Sequence, residues 1–405
     1  MALTLTTADS ALKEDYQPSI REQINNEVMI LSQIESRSTD VEGRRAVLSL
    51  HVTRNSGVGA RAEGGTLPTA GAQGYAEERV SLKYNYGRIQ INGPVIRAMK
   101  SDSGSFTRAI ESETQGIVRD LKRDVNRQVF NNDNGSIATC ASVSGAVVTL
   151  NADTPTSAFR QLEVGSLIDI GLEDSPTDHG TALVVSSVNT STPSVTFTTS
   201  PTAGIGTSDL LFRSGAKTTT ANATSELTGL QAIVNSSGTL FNINPTTYPV
   251  WASTVNSNSG TDRAATDNLF ESVIDNIWLE SGEAPTFIVT SPGVRRNYAS
   301  QLKAQKRFAD TVDLKGGFRA LTVDAGNTSL PIAVDRDNPD TKAFLLNLPC
   351  LTQHQSSDWE FMDEDGAVLN RVSGVDAYEA TLFKYHELTT DRRNVHGRID
   401  DLIES

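Results

Sequence analysis

The stretch EGGTLPTAGAQGYAEERVSLKYNYGRIQINGPVI (Glu63–Ile96) decides how the chain is built. In its second half Val80, Leu82, Tyr84 and Tyr86 are separated by Ser81, Lys83 and Asn85, the two-residue period of a half-buried strand. Upstream, Val47, Leu48, Leu50 and Val52 predict a partner strand. Between the two lie Gly57, Gly59, Gly64, Gly65, Pro68, Gly71 and Gly74, with almost no core-forming residues. Residues 47–92 therefore read as one long hairpin with a glycine-rich tip. Two isolated strands are marginal in water, so the hairpin needs a partner surface.

Outward from the hairpin, residues 1–46 read as an arm. Ile20, Ile24, Val28 and Leu31 fit one helical face, with Pro18 near its start. That stripe is too narrow to fold alone. After the hairpin comes the clearest helix, residues 105–130. Phe106, Ile110, Ile117, Leu121, Val125 and Val129 form its stripe, Ser105 its N-cap, and Asn131-Asn132-Asp133-Asn134-Gly135 its stop. Residues 136–216 hold short strands such as VSGAVVTL, SLIDIGL, ALVVSSV and SVTFTTS, divided by turn residues, which predicts a small sandwich or barrel. In residues 217–340, Leu269, Phe270, Val273, Ile274, Ile277 and Trp278 make a helical face ended by Gly282. Ser291-Pro292 then opens a second helix after the strand TFIVTSP. SLPIAV and AFLLNL read as strands, as does AYEATLFKYHEL, and Asp365-Gly366 as a hairpin turn.

Composition narrows the function. The chain has 405 residues, 35 Lys plus Arg against 49 Asp plus Glu, and a net charge of −14. So acidic a chain is a poor general binder of nucleic acid, although a local basic face remains open. Its two cysteines, Cys140 and Cys350, build neither a disulfide scaffold nor a four-cysteine zinc site. No segment approaches the roughly 18 apolar residues of a membrane span. The start MALTLTTADSALKEDY lacks a secretory signal's basic and apolar regions, so a chain that stays where it is made is expected.

A search for chemistry finds no phosphate-binding glycine motif, no GxSxG and no HExxH. The five histidines are isolated. Asp363-Glu364-Asp365-Gly366 invites a calcium reading, but Phe361 stands where an EF-hand loop needs Asp, so a solvated hairpin tip is expected. Asp335, Asp337 and Asp340 read as a turn, with a cation at an interface as the alternative. Two basic groups are candidates for an interface or a DNA-facing surface: Arg119, Lys122, Arg123 and Arg127, and then Arg295, Arg296, Lys303, Lys306 and Arg307. In the first, Asp120 and Asp124 interleave, which favours intrahelical pairs or contacts with neighbouring chains. No constellation of nucleophile, base and orienting group is present, so no enzyme is expected, and neither a cofactor nor a metal.

The order of these parts resembles the major capsid protein of tailed bacteriophages, the shell fold shared with herpesviruses. Glu63–Ile96 and the helix after it carry the likeness, with Thr286–Phe308 and DWEFMDEDGAVLNRVSG as body segments. The resemblance implies an α+β fold with an N-terminal arm (1–46), an extended β-hairpin loop (47–92), a peripheral domain with a spine helix (93–135), an inserted small β domain (136–216), a mainly axial domain (217–340) and peripheral strands with the C-terminus (341–405). It implies that the loop lies across a neighbouring subunit, with Arg54, Arg61, Glu63, Leu67, Tyr75, Arg79, Tyr84 and Tyr86 as contacts. The partners implied are copies of the same chain in pentamers and hexamers, a separate scaffolding protein, a portal, packaged double-stranded DNA bound without sequence specificity, and a decoration protein in some shells. The resemblance also implies that no membrane is involved and that the place is the virion capsid, assembled in the host cytoplasm. The short arm points to a separate scaffold. Lys83 and Lys100 flank the end of the hairpin, away from its tip, so a Lys–Asn cross-link is not expected. The alternatives are an encapsulin-like nanocompartment shell and, further off, a β-rich surface adhesin.

Overall fold

The computed structural model describes residues 29–38, 41–42, 45–95, 103–132, 134–151, 154–172, 175, 178–202, 204–217, 225–304, 311–313, 319–325, 328–362 and 370–404. Ile20, Ile24, Val28, Lys100, Lys306, Arg307 and the turn Asp363–Gly366 lie outside the described residues. So do the side chains of Phe106, Ile110 and Lys303.

Strand Ala377–Thr390 organises a six-stranded sheet. Lys83–Asn92 runs antiparallel to it, from Ala377 opposite Asn92 to His386 opposite Lys83. Leu351–Gln355 pairs with the strand's other end, and Glu35–Arg37 adds to Leu351–Gln355 in parallel. The long helix, Ser103–Phe130, has 28 residues and spans about 42 Å. It begins before the expected cap Ser105 and stops where the Asn131 run was expected to stop it. A Cβ at Gly87 would collide with Leu121 and Ile117, so glycine is what lets helix and sheet approach this closely.

The hairpin differs from expectation at Leu82. Arg45–Thr53 pairs with Gly74–Ser81 and a short Val41–Glu42 in a sheet of its own. The next strand, Lys83–Asn92, belongs to the six-stranded sheet instead. The buried phase flips at this break. Val80 and Leu82 are buried, then Asn85 and Gly87, which turns Tyr84 and Tyr86 outward. The physical reason lies in distant partners: Asn85 bonds the buried His386 and Gln128, and Gly87 meets the helix.

The second large sheet has seven strands in the order Thr254–Asn256, Gly397–Ile399, Ala343–Leu346, Phe287–Thr290, Thr328–Val334, Arg319–Ala325 and Thr311–Asp313. Helices Asp267–Ser281 and Pro292–Ala304 cover one face, where Phe270, Ile277, Tyr298, Ile288, Leu345 and Ile399 form a core. The other face joins a core with Val125, Val129 and Phe130 of the long helix. Thr266 caps the first helix by accepting from Leu269 N–H, and Gly282 ends it at φ 78°. Ser291 accepts from Val294 N–H and caps the second. The expected division at residue 340 is corrected here. Ala343–Leu346 and Gly397–Ile399 pair with strands from residues 254–334, because AFLL is buried on both faces and needs a neighbour on each side.

Residues 136–213 contain a closed six-stranded barrel: Ser194–Phe197, Val147–Leu150, Ser136–Ser144, Leu210–Arg213, Leu167–Gly171 and Asp178–Asn189. Val148, Ile168, Ile170, Val185, Phe197 and Leu211 fill it. No described helix is long and apolar enough to cross a membrane.

Candidate functional site

The hairpin presents two different faces. Ala46, Leu48, Leu50, Val52, Ala76 and Val80 turn toward the body, and Leu50 and Ala76 pack against the core beneath. Val47, His51, Tyr75, Glu77 and Arg79 turn to solvent. Tyr75 sits edge-on to His51 at 5.7 Å, and Arg79 pairs with Glu77 at 2.8 Å. The tip is tied mostly to itself. Arg61 donates to the carbonyls of Thr66 and Ala60, and Gly57 N–H donates to Asn55. Its apolar residues have no cover: Val58 is 85% and Leu67 82% exposed. Glu63 is exposed beside them, and Arg54 lines a groove between the hairpin root and Val250, Glu280 and Arg392. Together these exposed side chains are available to another surface.

Tyr84 and Tyr86 lie elsewhere, on the six-stranded sheet. They stand edge-on to Tyr385 at 4.9 and 6.1 Å, with Phe383 beside it, and form an exposed aromatic face. The loop contacts expected from the sequence thus divide into two surfaces.

The last turns of the long helix hold the body together. Asn126 donates to Asp335 and Asp337 at 3.0 and 2.9 Å. Gln128 donates to Asn85 and Asp124 and accepts from Leu227 N–H. Arg127 binds Glu226 through both terminal nitrogens and Asp124 through Nε. Burial disfavours the Arg127 charge, but Asp124 and Glu226 override it and hold the guanidinium above its usual range.

This arrangement corrects the first basic group. Arg127 is 3% exposed and cannot meet DNA or a neighbour. Arg123 pairs with Glu163 of the barrel and donates to the Arg160 carbonyl at 2.9 Å, which docks the barrel on the helix. Arg119 is half-buried, and Lys122 is exposed. Of the second group, Arg295 and Arg296 are both exposed on one helix.

Two further expectations change. Asp335, Asp337 and Asp340 form no open turn. All three are buried, and Asp340 accepts from Ser157 N–H and Arg160. Among the described residues no cluster of His, Cys, Asp or Glu could hold a metal. Trp278, expected on the inner helix face, is 55% exposed with Leu279 beside it. This pair was hidden in the pattern because a sixth apolar position extends the stripe past what the sheet can cover.

Buried titratable groups set opposing pH demands. Burial, and then the Asp391 charge, pushes Glu78 up to about 8. Burial also raises Glu387 to about 7 and Asp335 to about 6. Burial, with Lys384 second, lowers His386 to about 3; burial, with Arg392 second, lowers His396 to about 3. His396 accepts from Asn347 N–H at Nδ1 and donates from Nε2 to Thr390. The raised acids add stability that is complete below their unfolded values, near 4, and lost as pH climbs to 8. The lowered histidines add stability that is complete above 6.5 and lost as pH falls to 3. The melting temperature is therefore expected to peak between about pH 4.5 and 6.5 and to fall on both sides. Scanning fluorimetry across pH 3.5–9 reads this; a maximum above about pH 7.5 contradicts it.

Residues 209–402 match the family model described as SU10 major capsid protein. No curated protein matches the chain in sequence. Among solved structures, the chain is similar to a subunit of the cyanophage A-1(L) capsid, with a TM-score of 0.59 and 14% identity over 99% of both chains. It is also similar to the holo-SrpI encapsulin of Synechococcus elongatus, with a TM-score of 0.50 and 9% identity over 99% of this chain and 96% of that one. At these identities the likeness is one of fold.

Proposed function

We propose, for a chain that carries the fold of tailed-phage major capsid proteins and matches that family over residues 209–402, that it is the shell subunit of a tailed-bacteriophage head. The observation that carries this reading is the long hairpin, whose glycine-rich tip leaves Val58 and Leu67 without cover within its own subunit. A closed array of identical subunits supplies that cover and repeats it by symmetry. The family is one of structural proteins rather than enzymes. The encapsulin likeness is the weaker of the two, and the family match is to a phage capsid.

On this reading the partners are other copies in pentamers and hexamers, a separate scaffolding protein, a portal and, in some shells, a decoration protein. Packaged double-stranded DNA is the content and is held without sequence reading. A net charge of −14 suits a container whose wall does not grip its cargo. Assembly takes place in the host cytoplasm, and the finished protein resides in the virion. The loop contacts are Arg54, Arg61, Glu63, Leu67, Tyr75 and Arg79, with Tyr84 and Tyr86 on a second contact face. Lys122, Arg295 and Arg296 are the exposed cations left for an interface or the inner wall.

The test is expression of the full chain with and without a candidate scaffolding protein, followed by sedimentation and negative-stain imaging. Closed shells are expected. Monomer under every condition, scaffold included, contradicts the reading.

A further inference from the structure

We propose that Glu78 is a proton-operated latch at the root of the hairpin, seating the hairpin on its own subunit while the carboxyl is neutral and releasing it when the carboxyl ionises. The inward row of the hairpin is Ala46, Leu48, Leu50 and Val52 on one strand and Ala76, Glu78 and Val80 on the other. Glu78 stands directly opposite Leu48. It is 0% exposed, and neither carboxylate oxygen has a hydrogen-bond partner. The alternation calls for an apolar side chain here, and a charged group in such a place is a local rule broken where function commonly lies.

Among the described residues no cation compensates. Asp391, from the segment after strand Ala377–Thr390, is the charge whose field reaches Glu78, and it is of like sign. The neighbouring charges are committed elsewhere. Arg79 pairs with Glu77 on the outer face. Arg392 binds Glu283 and the Ser281 carbonyl, and Arg393 binds the carbonyls of Ala232, Ile233, Ser237 and Gly238. Glu387 is held by Thr228 and feels Lys83. The opposite strand and the turn at Phe241 bring no charge to the inner face.

The hairpin root is built to move as a unit. Its three-stranded sheet shares no strand with the others. Leu50 and Ala76 rest on the core, and Arg79 N–H donates to the Phe241 carbonyl at 3.1 Å. Leu82 alone separates its return strand from the next sheet. Burial and Asp391 place the seated carboxyl near 8, against 4.5 when released. Seating is thus fullest below 4.5, weakens through that interval, and loses the whole contribution above 8, as the proton leaves to solvent.

Hydrogen exchange on the unassembled full chain tests this, with rates corrected for the intrinsic effect of pH. Between pH 6 and 9, amides of residues 46–52 and 75–80 should lose protection about tenfold or more relative to barrel amides. Glu78→Gln should abolish that loss. Asp391→Asn should move its midpoint to lower pH, because a like charge is removed. An equal loss in Glu78→Gln, or none in the native chain, overturns the proposal. If Glu78→Gln fails to fold, the native chain and Asp391→Asn decide: an unmoved midpoint overturns it.

Discussion

A chain whose residues 54–73 are replaced by an Asn-Gly turn is expected to melt within about 2 °C of the parent and to form no closed shell. Thr53 and Gly74 are register partners, so a two-residue turn joins them without disturbing the paired strands. The removed residues are exposed or half-exposed throughout, and their hydrogen bonds are local. They add little to the subunit's own stability. They also include Val58, Arg61, Glu63 and Leu67, exposed residues that the proposed function assigns to contacts with a neighbour. Sedimentation with the scaffold present reads the outcome. Normal shells from the shortened chain would remove the loop from the contacts between subunits.

Replacing Arg127 by Met should cost about 3–5 kcal/mol of unfolding free energy, because it leaves the buried Glu226 carboxylate without its cation and weakens the pairing of Asp124. Glu226 loses both of its guanidinium bonds, and Asp124 keeps only Gln128 and a longer pair to Arg213 at 3.6 Å. Arg127→Lys should recover little, since one ammonium cannot reproduce three directed bonds to two acids. Arg127→Met combined with Glu226→Leu should recover much of the loss, because the uncompensated charge goes with its partner. Urea unfolding followed by Trp fluorescence measures the series. A single-variant loss below about 1 kcal/mol would show that the pair is not holding the body together.

Much of the fold was legible wherever local rules acted alone. The alternation around Leu48 and Val80, the stripe from Ile117 to Val129, Gly282 at its positive φ and Ser291 as a cap all stand where their spacing put them. The order of these parts also carried the capsid resemblance, which the family match and the fold bear out. What failed was set by partners far along the chain. The phase flip at Leu82 answers to His386, 301 residues from Asn85. The burial of Arg127 answers to Glu226, 99 residues away. Asp335 and Asp337 looked like a turn because Asn126, which binds them, lies more than 200 positions upstream. Of the candidate contacts, Arg54, Arg61, Glu63 and Leu67 are exposed in the segment between the paired strands. Their division into two surfaces required the register of a strand that begins at Ala377.

The threading of the two large sheets has a consequence for synthesis on the ribosome. The chain leaves the seven-stranded sheet after Leu346, builds Leu351–Gln355 and Ala377–Thr390 in the other, and returns at Gly397–Ile399 between Thr254–Asn256 and Ala343–Leu346. Leu402 N–H then donates to the Thr341 carbonyl. The seven-stranded sheet cannot be completed before Gly397–Ile399 is made, because this interior strand is translated after every strand it pairs with. The barrel, by contrast, is complete by Arg213 and is free to fold early. A prematurely terminated product would carry a finished barrel on an open, unpaired sheet. In such a fragment Thr254–Asn256 and Ala343–Leu346 would keep open the edges that Gly397–Ile399 fills, leaving templates for pairing with other chains.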